Sequence, residues 1–139
     1  MAEAVFRDLV RRAGLADRFE IASAGTGNWH AGEPPHRGTR DTLKRHNIDS
    51  TGLIAKQVAQ AMLDRADYVV AMDDENLSDL RSWRVDRKKL SRLLDYALDQ
   101  DYRDVPDPYY DGRFELVYQL ANIGSERLLE YLREQHDLR

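Results

Sequence analysis

The chain has 139 residues, 42% of them hydrophobic and 33% charged. That fits one soluble globular domain over residues 1–139 and excludes a disordered chain. Twenty-one basic residues against 25 acidic ones leave a net charge of −4, a poor match to nucleic acid or to an anionic membrane. There is no cysteine, so these residues supply no disulfide, no cysteine metal site and no thiol nucleophile.

Residues 2–13 read as an amphipathic helix. Val5, Phe6, Leu9, Val10 and Ala13 fall on one face, Arg7, Asp8, Arg11 and Arg12 on the other. Gly14 is placed to close it. No signal peptide is visible in this acidic, amphipathic start, and no apolar run is long enough to span a bilayer, so the expected location is cytoplasmic. Residues 19–24 (Phe-Glu-Ile-Ala-Ser-Ala) read as a short strand. A Gly- and Pro-rich loop with Trp29 follows over residues 25–38, long enough to suggest a functional role. A helix is expected over 39–46 with Asn47 as its stop, then an irregular stretch over 48–56 and a short helix over 58–65.

Residues 67–72 (Asp-Tyr-Val-Val-Ala-Met) are the clearest strand. Their apolar run suits a parallel sheet covered on both faces. Asp73 can cap a helix over 74–82. Residues 89–97 fit a helix by period through Leu90, Leu93, Leu94 and Ala97, but sit where an alternating pattern needs a strand, and we read 89–94 as a strand. Residues 114–135 close the chain as a long helix facing inward with Leu116, Val117, Leu120, Ile123, Leu128 and Leu132, with Gly124 as a local weak point. The order is that of an α/β fold, a parallel sheet with helices on both faces in three layers. The four histidines (His30, His36, His46 and His136) are scattered without ligand spacing, so neither a metal nor a cofactor is expected.

The stretch with most chemistry is Val105-Pro106-Asp107-Pro108-Tyr109-Tyr110-Asp111-Gly112. Two prolines stiffen the backbone around one carboxylate, and two aromatic rings follow it. Such a loop suits an acid that protonates a leaving group beside a flat aromatic wall. On spacing alone the plainer reading comes first, a surface turn whose tyrosines cover an apolar edge.

Four segments in this order and spacing resemble the low-molecular-weight protein tyrosine phosphatases. They are Met1-Ala2-Glu3-Ala4-Val5-Phe6; Ser23-Ala24-Gly25-Thr26-Gly27-Asn28-Trp29 with Gly32-Glu33-Pro34; Ala71-Met72-Asp73 with Glu75-Asn76-Leu77; and Asp107-Pro108-Tyr109-Tyr110. The resemblance implies the phosphotyrosine phosphatase I-like fold, whose first strand is central in the sheet and leads into a phosphate loop of the form Cys-x-x-x-x-x-Arg-Ser-Pro. Neither piece stands in this sequence. An upstream start is the preferred explanation, a true truncation the other, and a chain without that strand is expected to be marginally stable.

The resemblance further implies a phosphotyrosine protein or small aryl phosphate as substrate. Asp107 would be general acid and base, and Trp29, Tyr109 and Tyr110 would line the cleft. Ser23 and Asp73 would support the phosphate loop. The physical basis is that free N–H groups and the positive end of a helix attract a phosphate dianion and lower a thiol pKa. The chain as it stands is expected to be inactive, and a monomer or weak dimer. Plainer roles stand beside these: an N-cap for Asp73, a buried strand-end hydroxyl for Ser23, a loop anchor for Trp29, and a helix-end residue for His46. Relatives with a histidine near Gly52-Leu53-Ile54 differ from this chain. The alternatives are a non-catalytic phosphatase-like binding protein, an arsenate reductase of the same fold, which the lack of cysteine disfavours, and a scaffold without a cleft.

Overall fold

The computed structural model describes residues 1–26, 31–108 and 112–138. Helix α1 (Ala2–Arg12) starts from Met1, which offers no side-chain cap, and ends as expected. Gly14 takes φ +73°, its N–H donates to the Arg11 carbonyl, and the Leu15 N–H donates to Val10. This pair of bonds and a left-handed residue form a Schellman closure, which needs glycine's freedom at that position. Asn47 closes α2 (Arg37–Arg45) in the same way, with φ +59° and bonds from Asn47 N–H to Lys44 and Ile48 N–H to Leu43. Helix α2 begins two residues earlier than the sequence suggested. The His36 Nδ1 accepts from the Gly38 N–H at 3.0 Å and supplies a cap that composition did not reveal.

Helix α3 (Gln60–Arg65) leads into strand β1 (Val69–Ala71), then helix α4 (Asp74–Leu80), strand β2 (Leu90–Arg92) and helix α5 (Phe114–Gln135). β1 and β2 pair in parallel, Val69 with Leu90 and Ala71 with Arg92. Short 3₁₀ turns, which the pattern did not suggest, lie at Ala16–Arg18, Arg87–Lys89 and Leu93–Tyr96. The strand expected over 89–94 is therefore real but ends at Arg92. There the N–H of Arg92 donates to the Asp95 carboxylate at 2.8 Å and turns the chain.

Residues 19–24 require a correction. They are not a strand in the described structure. A strand needs a neighbour for its ladder, and the described sheet has two strands only, β1 and β2. What remains is a parallel bridge between Gly25 and Gln57, and an Arg7 guanidinium donating to the Ile21 carbonyl.

Alternate residues of β1 serve opposite layers. Tyr68, Val70 and Met72 pack against the cluster of Leu93, Leu94, Val105, Val117, Leu120 and Leu128, which α5 closes. Val69 and Ala71 join Val58, Leu63, Leu80 and Leu90 under α3 and α4. Helices thus cover both faces of a parallel sheet, the three-layer α/β order that the alternation of elements implied. Gly124 has a packing role that helix propensity does not show. It is buried, and a Cβ there would sit 2.6 Å from Leu93 Cγ, so its bare backbone is what lets α5 lie close on the sheet layer.

Candidate active site

Asp73 and the segment leading to Asp107 meet at the C-terminal end of β1. Asp73 follows the strand, and its Oδ1 accepts from the Asn76 N–H at 2.7 Å, capping α4 as expected. From Met72 the carbonyl receives the Val105 N–H at 2.9 Å. Val105 is itself buried in the main core cluster. These contacts pin the segment leading to Asp107 to the strand end, two residues ahead of the acid. Asp107 is exposed. Beyond it, the Gly112 N–H donates to the Pro108 carbonyl at 2.8 Å and Gly112 adopts φ +72°.

A second anchor was not anticipated. The Arg92 guanidinium, at the end of β2, lies 3.3 Å from Asp95, 3.5 Å from Asp104 and 3.9 Å from Asp74. Asp104 also accepts from the Asp74 N–H at 3.1 Å. One half-buried cation therefore ties the end of β2, the first turn of α4 and the acid-bearing loop together. The only signal in the sequence was a basic residue set among acids at positions 95, 99, 101 and 104.

Residues 31–38 are anchored on the start of α5. The His36 ring stacks on Phe114 with centroids 5.2 Å apart and 17° between planes. Gly38 lies so close to the Phe114 ring that any Cβ would overlap it. The loop before α2 is thereby seated on the first residue of α5, two residues after Gly112. Trp29, Tyr109 and Tyr110, the expected ring-stacking residues, fall outside the described residues.

Ser23 is exposed, not a buried strand-end hydroxyl, and its hydroxyl donates to Glu3 Oε1 at 2.6 Å. Arg7 donates to the other oxygen at 2.7 Å. Burial pushes the Glu3 carboxyl up, but the Ser23 and Arg7 hydrogen bonds and the nearby Arg7 and Lys56 charges outweigh it and hold the group below its usual range. This clasp joins residues 19–24 to the first turn of α1. His46 is the residue after α2, as its helix-end reading implied; its Nε2 lies 2.7 Å from Glu115 Oε1 and its ring 3.6 Å from that of Tyr118. In the stretch without the histidine, Leu53 packs inward and Ile54 is exposed.

With this geometry in hand, comparison with known proteins is decisive. The family described as low molecular weight phosphotyrosine protein phosphatase matches residues 1–138. The chain belongs to the low-molecular-weight protein-tyrosine-phosphatase family. It is 47% identical to the low molecular weight protein-tyrosine-phosphatase YfkJ of Bacillus subtilis over 140 residues, covering 99% of this chain and 90% of that one. It is 36% identical to PtpA of Staphylococcus aureus, covering 100% and 88%. The crystal structure of YfkJ superposes with a TM-score of 0.94 over 96% of this chain and 86% of that chain. A protein tyrosine phosphatase from Entamoeba histolytica with Hepes in the active site superposes with a TM-score of 0.90 at 26% identity, covering 97% and 88%. The family is one of phosphatase enzymes, and the three-layer α/β architecture is theirs. No described helix is long and apolar enough to cross a membrane.

Proposed function

We propose that these residues form the acid half of a phosphotyrosine phosphatase centre that hydrolyses aryl phosphate monoesters in the cytoplasm. The observation that carries the reading is the pinning of the Asp107 segment to the end of β1 through Val105 and Met72, beside the α4 start that Asp73 caps. In the reaction, a cysteine thiolate attacks phosphorus and forms the S–P bond. As the aryl P–O bond breaks, Asp107 gives its proton to the departing oxygen. The Asp107 carboxylate then takes a proton from water, whose oxygen attacks phosphorus and breaks the S–P bond. Tyr109, Tyr110 and Trp29 supply ring contacts to the substrate, while Ser23 and Asp73 brace the loop that cradles the phosphate. The carboxylate of Asp73 would hold that loop's arginine through a charge-assisted bond.

No residue of the 139 is cysteine; on this reading the thiolate is supplied from outside them, and the 139 residues alone should hydrolyse nothing. The same observation supports a second reading, a phosphatase-like protein that binds a partner without turnover. Assay on para-nitrophenyl phosphate separates the two. The 139-residue chain should be inactive, and a version extended through the coding sequence upstream should be active. In that extended protein Asp107→Asn should lower kcat by about 10²–10⁴-fold, the usual worth of a positioned proton donor. An inactive extended protein overturns the enzymatic reading, and an unaffected Asp107→Asn variant overturns the role of Asp107.

A further inference from the structure

The densest run of basic residues lies in the segment Arg81-Ser82-Trp83-Arg84-Val85-Asp86-Arg87-Lys88-Lys89. Five bases and one acid stand there in a chain whose net charge is −4. Elsewhere arginines are mostly spoken for: Arg7 by Glu3, Arg11 and Arg12 by Asp8, Arg65 by Glu20, Arg92 by Asp95 and Asp104, and Arg127 by Asp99. The side chains of Arg81, Arg84, Arg87 and Lys88 are exposed and have no carboxylate partner among the described residues.

The segment is nevertheless held in one conformation. Gln60 on α3 clasps the backbone of Arg84 at both its N–H and its carbonyl. Asp86 turns its carboxylate onto the Lys88 N–H at 3.0 Å. Lys89 reaches the carbonyls of Leu63 and Asp64 at the end of α3. Trp83 and Val85 pack on the cluster beneath α4. Between α4 and β2 this framework leaves an open cleft of about 230 Å³ lined by Leu77, Arg81, Arg87 and Leu90. Leu77 and Arg81 are four apart and share a helix face, while Glu75 and Asp79 on the same helix point away from it.

We infer that this cleft is a docking surface for an acidic segment of a partner protein, one that presents an aliphatic side chain next to carboxylates. Two guanidiniums beside Leu77 and Leu90 match that combination, since the planar forks take carboxylates and the leucines take the hydrocarbon. A cleft of 230 Å³ is below the ~300–1,000 Å³ of sites for whole small molecules and suits one inserted side chain. Duplex nucleic acid or a membrane needs a broad basic face, which a chain of net charge −4 does not supply.

The test is fluorescence anisotropy of the 139-residue chain with a fluorescein-labelled peptide, Glu-Glu-Leu-Glu-Glu, at low and at physiological salt. Binding should weaken with salt, because the contacts are exposed charge pairs. The Arg81→Gln/Arg87→Gln variant should bind about tenfold more weakly or worse, the loss expected when charge-assisted bonds go. An Arg40→Gln/Lys44→Gln variant on α2, which removes the same charge elsewhere, should bind as the parent does. Replacing the leucine of the peptide with glycine should also weaken binding, a measurement that needs no variant protein. Absence of binding at low salt overturns the inference, as does equal loss in both variants or indifference to the leucine. Tighter binding of oligo-dT or of phosphatidylglycerol vesicles than of the peptide also overturns it, in favour of those ligands.

Discussion

The two faces of the sheet are built differently. The α1–α5 side holds Leu94 and Val5 at 0% exposure and Val10 at 1%, together with the long run of α5 leucines. The α3–α4 side rests on four buried side chains, Val58, Leu63, Ala71 and Leu80, under helices of six and seven residues. Helices that short have little intrinsic stability and depend on their docking. The first face is therefore where folding free energy is concentrated. The second is thin, and it carries the charged and loop-borne groups, from the Asp73 cap to the basic segment.

Leu94→Ala should break that comparison most visibly. A fully buried leucine replaced by alanine costs about 2–5 kcal/mol, enough to consume much of a domain's stability. Leu80→Ala, at the edge of the small cluster, should cost clearly less, toward ~2 kcal/mol, because a thin layer relaxes into the void more easily. Urea midpoints of the two variants decide it. Equal losses would mean that the two faces contribute alike.

Gly124→Ala comes next in size. Inside an exposed helix this change gains up to ~1 kcal/mol. Here the added methyl meets Leu93 at 2.6 Å, and overpacking of a tight core costs about 1–3 kcal/mol. The expected outcome is a lower melting temperature, and a Leu93→Ala/Gly124→Ala double variant should recover part of the loss relative to Leu93→Ala alone. A Gly124→Ala protein more stable than the parent would show that α5 has slack against the sheet.

These sites also show what a sequence can and cannot reveal. Helices α1 and α5, the Gly14 and Asn47 stops and the Asp73 cap were legible because each is a local signal: period, left-handed residue or short acid at a helix start. The Asp107 loop was legible from its two prolines. Residues 19–24 misled because alternation marks a strand's faces and says nothing about a neighbour to pair with. Gly124 misled because propensity is local while the close approach of Leu93 is tertiary. Arg92 left only a faint signal for the same reason, since two of its three carboxylates, Asp74 and Asp104, lie well apart from it in the sequence.

Arg92→Met tests the thin side. It keeps the length of the side chain and removes the charge that holds Asp74, Asp95 and Asp104. Those carboxylates are partly in solvent, so the stability loss should be modest, about 1 kcal/mol. The local effect should exceed the global one. Hydrogen exchange at the Val105 amide, which donates to Met72, should speed up in the variant while amides in the middle of α5 keep nearly their original rates. Uniform acceleration would mean that Arg92 supports the whole fold and not the acid loop.

The smallest effect expected concerns Glu3 and Glu115, two carboxylates on the dense side whose pKa values are both depressed. Burial pushes Glu3 up, yet its Ser23 and Arg7 bonds prevail. Glu115 is lowered mainly by its hydrogen bond with His46. A depressed carboxylate binds fewer protons folded than unfolded at pH values between its folded pKa and the ordinary value near 4.5. Its stabilisation is thus present above that ordinary value and lost as pH falls through the folded pKa. Glu3→Gln should flatten the fall in melting temperature between neutral and acid pH. Glu115→Gln should do so more weakly, and its effect should fade in high salt, because the carboxylate of Glu115 is 50% exposed whereas that of Glu3 is 15% exposed. The reverse ranking would place the acid-sensitive contact between α2 and α5 instead of at the clasp between α1 and residues 19–24.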